Sequence, residues 1–190
     1  MTRVVLSIGS NLGDRMARLQ AAVDGLGVSV RALSPVYETD AWGGVEQGAF
    51  LNAIVVADDP GADEHEWLRR AQALEDANER VREQKWGPRT LDVDLVSCHD
   101  TSPAGATEVF SRDEGLTLPH PLAHLRAFVL VPWLAVDPDA ELTVGGEPQR
   151  VDRLLTELEP VDRDGVRLTG LVLGLGHRDR NDPESSETDA

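Results

Sequence analysis

Residues 85–96 read KWGPRTLDVDLV. A Gly-Pro turn, an Arg and a Thr lead into an apolar run that holds Asp92 and Asp94. The alternation marks a strand, on which residues i and i+2 point to the same face. Asp92 and Asp94 therefore project together, while Val93 and Leu95 face the core.

This strand decides the fold because of what precedes it. VVLSIG (4–9) is a β-rich run that stops at a Gly, and SNLGDR (10–15) is turn-like. Asp14 caps a helix through Leu26, with Met16, Leu19, Val23 and Leu26 at helical spacing. VSVRALSPVYET (28–39) reads as a strand, DAWGGVEQGA (40–49) as a Gly-rich loop and FLNAIVVAD (50–58) as a strand. Residues 62–81 form a helix with an apolar stripe of Trp67, Ala71, Leu74, Ala77 and Val81, next to a polar stripe of Gln72, Glu75, Glu79 and Arg82. With a strand over 92–98, the order becomes β-α-β-β-α-β. That is the ferredoxin-like α+β arrangement, an antiparallel sheet with both helices on one face.

Downstream, 99–115 is a long polar connection, and an apolar helix runs from about Arg126 to Val136. A short helix over 151–158 and an added strand within 165–176 follow. Residues 1–176 are expected to form one domain, and 177–190 an acidic, disordered tail. Trp67 and Trp133 belong to the core, and Tyr37 to strand packing.

The net charge of −16 argues against nucleic acid or an anionic membrane as partner. Cys98 is the single cysteine, so no intrachain disulfide forms. No apolar run is long enough to span a membrane. A cytoplasmic, monomeric protein is expected. Against the acidic background, Arg80, Arg82, Lys85 and Arg89 make a local basic cluster.

Two ionised carboxylates on one strand face repel each other, and a divalent cation removes that conflict. Mg²⁺ takes one or two carboxylates together with phosphate oxygens and water. The basic cluster supplies charge for a polyphosphate. A D-x-D pair also fits a solvated strand edge with a structural salt bridge, but the adjoining cluster favours metal and phosphate. Phe50 and Asn52 share a strand face, offering an aromatic surface and an amide. Both Phe50 and Phe128 also suit a core. Asn52, in an apolar strand, needs a partner.

Four blocks carry a resemblance: SIGSNLGDR (7–15), SPVYETDAWGGVEQGAFLNAIV (34–55), EDANERVREQKWGPRTLDVDLV (75–96) and LTLPHPLAHLRAFVL (116–130). In order and spacing they resemble the 6-hydroxymethyl-7,8-dihydropterin pyrophosphokinase family, over roughly residues 3–158. W-G-P-R-T-L-D-x-D is the specific element; the chain has no P-loop. The resemblance implies a ferredoxin-like fold and transfer of pyrophosphate from ATP to the pterin hydroxymethyl group, giving AMP. It implies that Asp92 and Asp94 bind two Mg²⁺ ions, and that Arg80, Arg82 and Arg89 serve catalysis beside them. Gln72, Glu75, Arg82, Lys85, Trp86, Arg89, Leu95, Thr117, His120 and Arg126 match positions around ATP. Thr39, Asp40, Trp42, Phe50, Asn52, Trp86, Asp92 and Phe128 match the pterin pocket.

Loops 40–49 and 83–91 are expected to close over the substrates and exclude water. His120 stands between two prolines, so its loop is stiff. The sequence departs from the family pattern at Asp40-Ala41, Gly48-Ala49, Lys85 and Gly115, the last where some members place a basic ATP contact. Three other readings are a non-catalytic ferredoxin-like binding module, a Mg²⁺-dependent nucleotidyltransferase and an RNA-binding sheet. The first leaves Asp92, Asp94 and the arginines unmotivated. The second would release pyrophosphate rather than AMP. The third lacks paired aromatic motifs and positive charge.

Overall fold

Strand β1 (Thr2–Ser10) is the axis of the molecule. It pairs antiparallel with β4 (Phe50–Asp59) on one side and with β5 (Asp92–Ser102) on the other. The computed structural model describes residues 1–41, 48–78 and 90–175. Between the two β1 partners in sequence come α1 (Arg15–Leu26), β2 (Val30–Leu33), β3 (Tyr37–Thr39) and α2 (Glu64–Ala77). β2 and β3 both pair with β4, so the sheet runs β3–β4–β1–β5 with every pairing antiparallel. That strand order is the ferredoxin-like sheet.

Periodicity assigns the two faces. Val4, Leu6 and Ile8 of β1, with Leu51 and Ala53 of β4, meet Leu19 and Val23 of α1 and Trp67 and Ala71 of α2. Fully burying a side chain of this size contributes about 1.5–3 kcal/mol. Trp67 is buried with its indole satisfied, Nε1 donating to Thr2 Oγ1 at 2.9 Å. Asp14 caps α1 through Ala17 N–H at 3.0 Å, as its position predicts. α2 stops at Ala77, short of the 62–81 span, and Ala77 is exposed.

The predicted single strand over 28–39 is two strands, broken at Ser34-Pro35. Pro lacks a ladder donor, and at the break Ser34 N–H donates to Ile54 O at 2.9 Å while the Ser34 hydroxyl accepts from Ile54 N–H at 2.8 Å. β5 is longer than 92–98 and turns back through β6 (Gly105–Glu108), so part of the supposed polar connection is a hairpin. The two-residue strands β7 (Ser111–Arg112) and β8 (Thr117–Leu118) pair with each other.

The second face of the sheet is also covered. Val5, Ile54 and Val96 pack against α3 (Ala127–Val136) and α4 (Val151–Glu157), with Trp133 and Leu154 at the centre. Between these helices lies the hairpin of β9 (Glu141–Val144) and β10 (Glu147–Arg150). The chain then forms α5 (Pro160–Asp164) and β11 (Val166–Leu168), which pairs with β3 and lengthens the sheet at that edge. The expected strand within 165–176 is thus present as three residues. No described helix is long and apolar enough to cross a membrane.

Candidate active site

Register brings the candidate residues together. Asn52 of β4 and Asp92 of β5 both face Gly9 of β1, one from each side, and Tyr37 of β3 faces Asn52. One row along, Ile54 and Asp94 both face Ser7. Thr39 faces Phe50. By the alternation of each strand, Thr39, Phe50, Asn52, Asp92 and Asp94 share the face covered by α3. β1 contributes small residues, Ser7 and Gly9, where the polar groups converge.

Gly9 is required there. A Cβ at Gly9 would lie 2.5 Å from Asn52 Oδ1. The Asn52 amide is thereby free to lie across β1 while its Nδ2 donates to Thr39 Oγ1 at 2.6 Å. Asn52 is buried, and Thr39 is the polar partner its burial demands.

Arg126, just before α3, reaches the carboxylate pair from above. Its Nη1 lies 3.0 Å from Asp94 Oδ2, and its guanidinium stands 5.6 Å from the Phe128 ring centroid. A stacked, buried guanidinium fixes Asp94 and adds positive charge where a polyphosphate would lie. From the opposite side, the buried Glu75 of α2 accepts from Val93 N–H at 2.9 Å, between the two aspartates. The polar stripe of α2 is therefore split: Gln72 is exposed and Glu75 is not.

His120 is tied to the strand by its own N–H, which donates to Val96 O at 2.9 Å. Its Nδ1 accepts from Leu122 N–H at 3.1 Å, which puts the imidazole proton on Nε2. Burial, reinforced by Arg126, lowers its pKa to about 4, with Asp92 pulling the other way. His120 is thus a neutral donor at pH 7.

Asp92 and Asp94 offer hard oxygen donors on one face, a set that suits Mg²⁺ completed by phosphate and water. No group of three or more His, Cys, Asp or Glu side chains gathers among the described residues, so no all-protein metal cage exists there.

Two cavities flank the site. One, of about 140 Å³, is lined by Thr39, Asp40 and Phe128 together with Val161, Gly165 and Val166. The other, of about 360 Å³, is lined by Thr117 and His120 together with Phe110, Arg112 and His124. The first gathers residues matched to the pterin pocket, the second residues matched to ATP. Leu95 is not brought to either; it lies in the core beneath α1 and α2. Trp42, Arg80, Arg82, Lys85, Trp86 and Arg89, the two expected closing loops apart from their ends, and the tail from His177 lie outside the described residues.

Sequence reasoning missed Gly9, Arg112 and the Val161–Val166 wall. A Gly inside a strand is a signal of close approach, and it stood in the quoted GSNLGD block. Arg112 owes its place to pairing opposite Thr117, which no periodicity announces.

A ferredoxin-like sheet that carries a carboxylate pair on one face, with two cavities nearby, is the class of fold. Comparison with known proteins makes it particular. The family model described as 7,8-dihydro-6-hydroxymethylpterin-pyrophosphokinase matches residues 5–138, and the chain belongs to that family. It is similar to the 2-amino-4-hydroxy-6-hydroxymethyldihydropteridine pyrophosphokinase of Mycobacterium tuberculosis (strain H37Rv), 66% identical over 169 residues, 88% of this chain and 90% of that one. The enzyme of the same name from Mycobacterium leprae is 65% identical over 191 residues and the whole of both chains. That of Aquifex aeolicus is 32% identical over 162 residues, 84% of this chain and 96% of its own. Among solved structures, Plasmodium falciparum HPPK-DHPS with pterin and p-hydroxybenzoate superposes with a TM-score of 0.54 at 12% identity, over 83% of this chain and 42% of that one. That likeness shows the shared fold, and the chain spans less than half of the longer protein.

Proposed function

We infer that this chain transfers the pyrophosphoryl group of MgATP to the hydroxymethyl oxygen of 6-hydroxymethyl-7,8-dihydropterin, releasing AMP, in folate biosynthesis. The observation that carries the site assignment is the convergence on one sheet face of Asp92 and Asp94, Asn52 with Thr39, and Arg126.

Each group has a task it can perform. Asn52 has spent one amide hydrogen on Thr39, so Oδ1, lying over Gly9, accepts from the edge of a flat heterocycle. Phe50 and Phe128 offer faces for stacking, which contributes about 0.5–1.5 kcal/mol beyond area. Asp92 and Asp94 hold Mg²⁺, in our reading two ions, which when bound neutralise phosphate charge and align attacking and leaving oxygens. Arg126 holds Asp94 in place and adds positive charge that favours a phosphate beside it. His120 donates Nε2–H to a phosphate oxygen without changing its own charge. Arg82 and Arg89 are proposed, on the resemblance, to stabilise charge that grows during transfer.

Nucleotide product analysis tests this reading. Protein, Mg²⁺, ATP and 6-hydroxymethyl-7,8-dihydropterin are mixed, and products are separated chromatographically. Pterin-dependent AMP is expected, lost in Asp92→Asn and Asp94→Asn. ADP would mean a simple kinase, and pyrophosphate a nucleotidyltransferase. No turnover with pterin still bound would leave a binding module.

A further inference from the structure

The family match ends at residue 138, yet the chain continues and returns to the pterin-side cavity. β11 zips onto β3 residue by residue: Val166 opposite Thr39, Arg167 opposite Glu38, Leu168 opposite Tyr37. Backbone contacts extend the zipper at both ends, Asp40 N–H donating to Gly165 O at 3.3 Å and Thr169 N–H to Val36 O at 3.1 Å. A three-residue strand is short, but here it closes the edge of a sheet that would otherwise stop at β3.

The side chains join this edge to the pterin cavity. Arg167 Nη2 lies 2.8 Å from Asp40 Oδ1 and 4.0 Å from Glu38 Oε1. Glu38 is also met by Arg15 at 3.1 Å. The same Arg15 guanidinium donates to Ala49 O at 2.9 Å, and Asn11 Nδ2 donates to Gly48 O at 3.2 Å. The charges alternate as Arg15, Glu38, Arg167, Asp40. One end of the row holds Asp40; the other holds Ala49, where the chain enters β4. Gly165 permits the close approach: a Cβ there would stand 3.4 Å from Asp40 Oδ2 and 3.3 Å from Val161 O.

We propose that Val161–Arg167 forms a wall of the pterin site, and that Arg167 is a positioning residue that holds Asp40 at its rim. This deepens the proposed function and rests on it. Val161, Gly165 and Val166 line the cavity that Thr39, Asp40 and Phe128 also line. Arg167 pairs with Asp40 and Glu38, on the side of the cavity that Thr39 and Phe128 also line. The effect therefore falls on pterin binding and not on ATP binding or transfer. In keeping with the contact, Arg167 holds the Asp40 carboxyl below the usual range.

Three full-length variants test it: Arg167→Ala, Arg167→Lys and Val161→Trp. Pterin affinity is read by fluorescence titration, and kcat with both KM values by AMP formation. Arg167→Ala is expected to raise the pterin Kd and KM about two- to fivefold, the scale of one exposed ion pair, with kcat and the ATP KM unmoved. Arg167→Lys restores most of the affinity. Val161 is 75% exposed, so Trp there is tolerated by the fold and weakens pterin binding by filling the cavity mouth. Unchanged pterin affinity in both Arg167→Ala and Val161→Trp overturns the proposal, as does an equal rise in both KM values. If the unaltered protein makes no pterin-dependent AMP, the functional reading itself fails, whatever the variants do.

Discussion

Arg126 Nη1 stands 3.0 Å from Asp94 Oδ2, and the donor is far more buried than the acceptor, 6% exposed against 32%. The guanidinium holds the carboxylate from the protein side, and Asp94 stays partly open to solvent. If Asp94 ligates Mg²⁺ as proposed, a carboxylate fixed in this way loses little freedom on binding the cation, which is how supporting contacts tune a site.

Arg126→Ala should therefore lower stability and activity together. Loss of a hydrogen bond to a charged group costs about 1–3 kcal/mol. The catalytic efficiency with ATP should fall about tenfold or more, because Asp94 is no longer held. Arg126→Lys should recover charge but not the planar fork, and so only part of either quantity. Thermal denaturation and steady-state kinetics measure both. Full activity in Arg126→Lys would show that Arg126 acts as a point charge and not through its geometry.

The same contact marks where sequence is legible. Alternation in DVDLV put Asp92 and Asp94 on one face, and the structure has them there because period 2 is a property of any extended backbone. Helical spacing found Trp67 and Ala71 at the α2 core face, since burial of an apolar stripe needs no tertiary knowledge. The burial of Glu75 was not legible, although the residue was matched to ATP: it depends on a strand N–H, 18 residues away, lying opposite the helix. Nor was the β9–β10 hairpin assigned, although Gly145-Gly146, both at positive φ, is the turn signal it needed. β11 was faint because three residues owe their conformation to β3 and not to their own propensity.

Glu75 carries a second expectation. Its carboxylate satisfies the N–H of Val93, flanked by Asp92 and Asp94, the proposed metal ligands. Glu75→Ala leaves that N–H without its acceptor beside a hole, at a cost of about 1–3 kcal/mol. Glu75→Gln retains a carbonyl oxygen at the same place and should keep most of the stability. Chemical denaturation gives the difference, and Mg²⁺ titration of activity should show a higher half-saturation in Glu75→Ala. Equal stability of the two variants would mean that the hydrogen bond carries no weight.

Gly9 predicts a selective loss. A methyl at 2.5 Å from Asn52 Oδ1 must push the amide aside, breaking its bond to Thr39. Overpacking of this kind costs about 1–3 kcal/mol. Gly9→Ala should raise the pterin KM more than the ATP KM, since Asn52 is proposed to meet the pterin. A protein with normal pterin KM would show that Asn52 has another way to lie.

His120 sets a pH dependence whose sign follows from its depressed pKa. The unfolded imidazole titrates near pH 6.5, the folded one near 4, chiefly through burial. Between those values the unfolded chain binds a proton that the native state does not. Stability therefore rises with pH across that window, by at most about 1.4 kcal/mol per pH unit from this group. Its contribution is whole above pH 6.5 and is lost as pH falls toward 4. Other groups titrate in the same range, so the informative quantity is the unaltered protein minus His120→Asn, both with metal removed by chelation. That difference should slope between pH 4.5 and 6.5 and be flat above 7. A flat difference throughout would place the imidazole in water, and with it would go the neutral Nε2–H donor assigned to the phosphate.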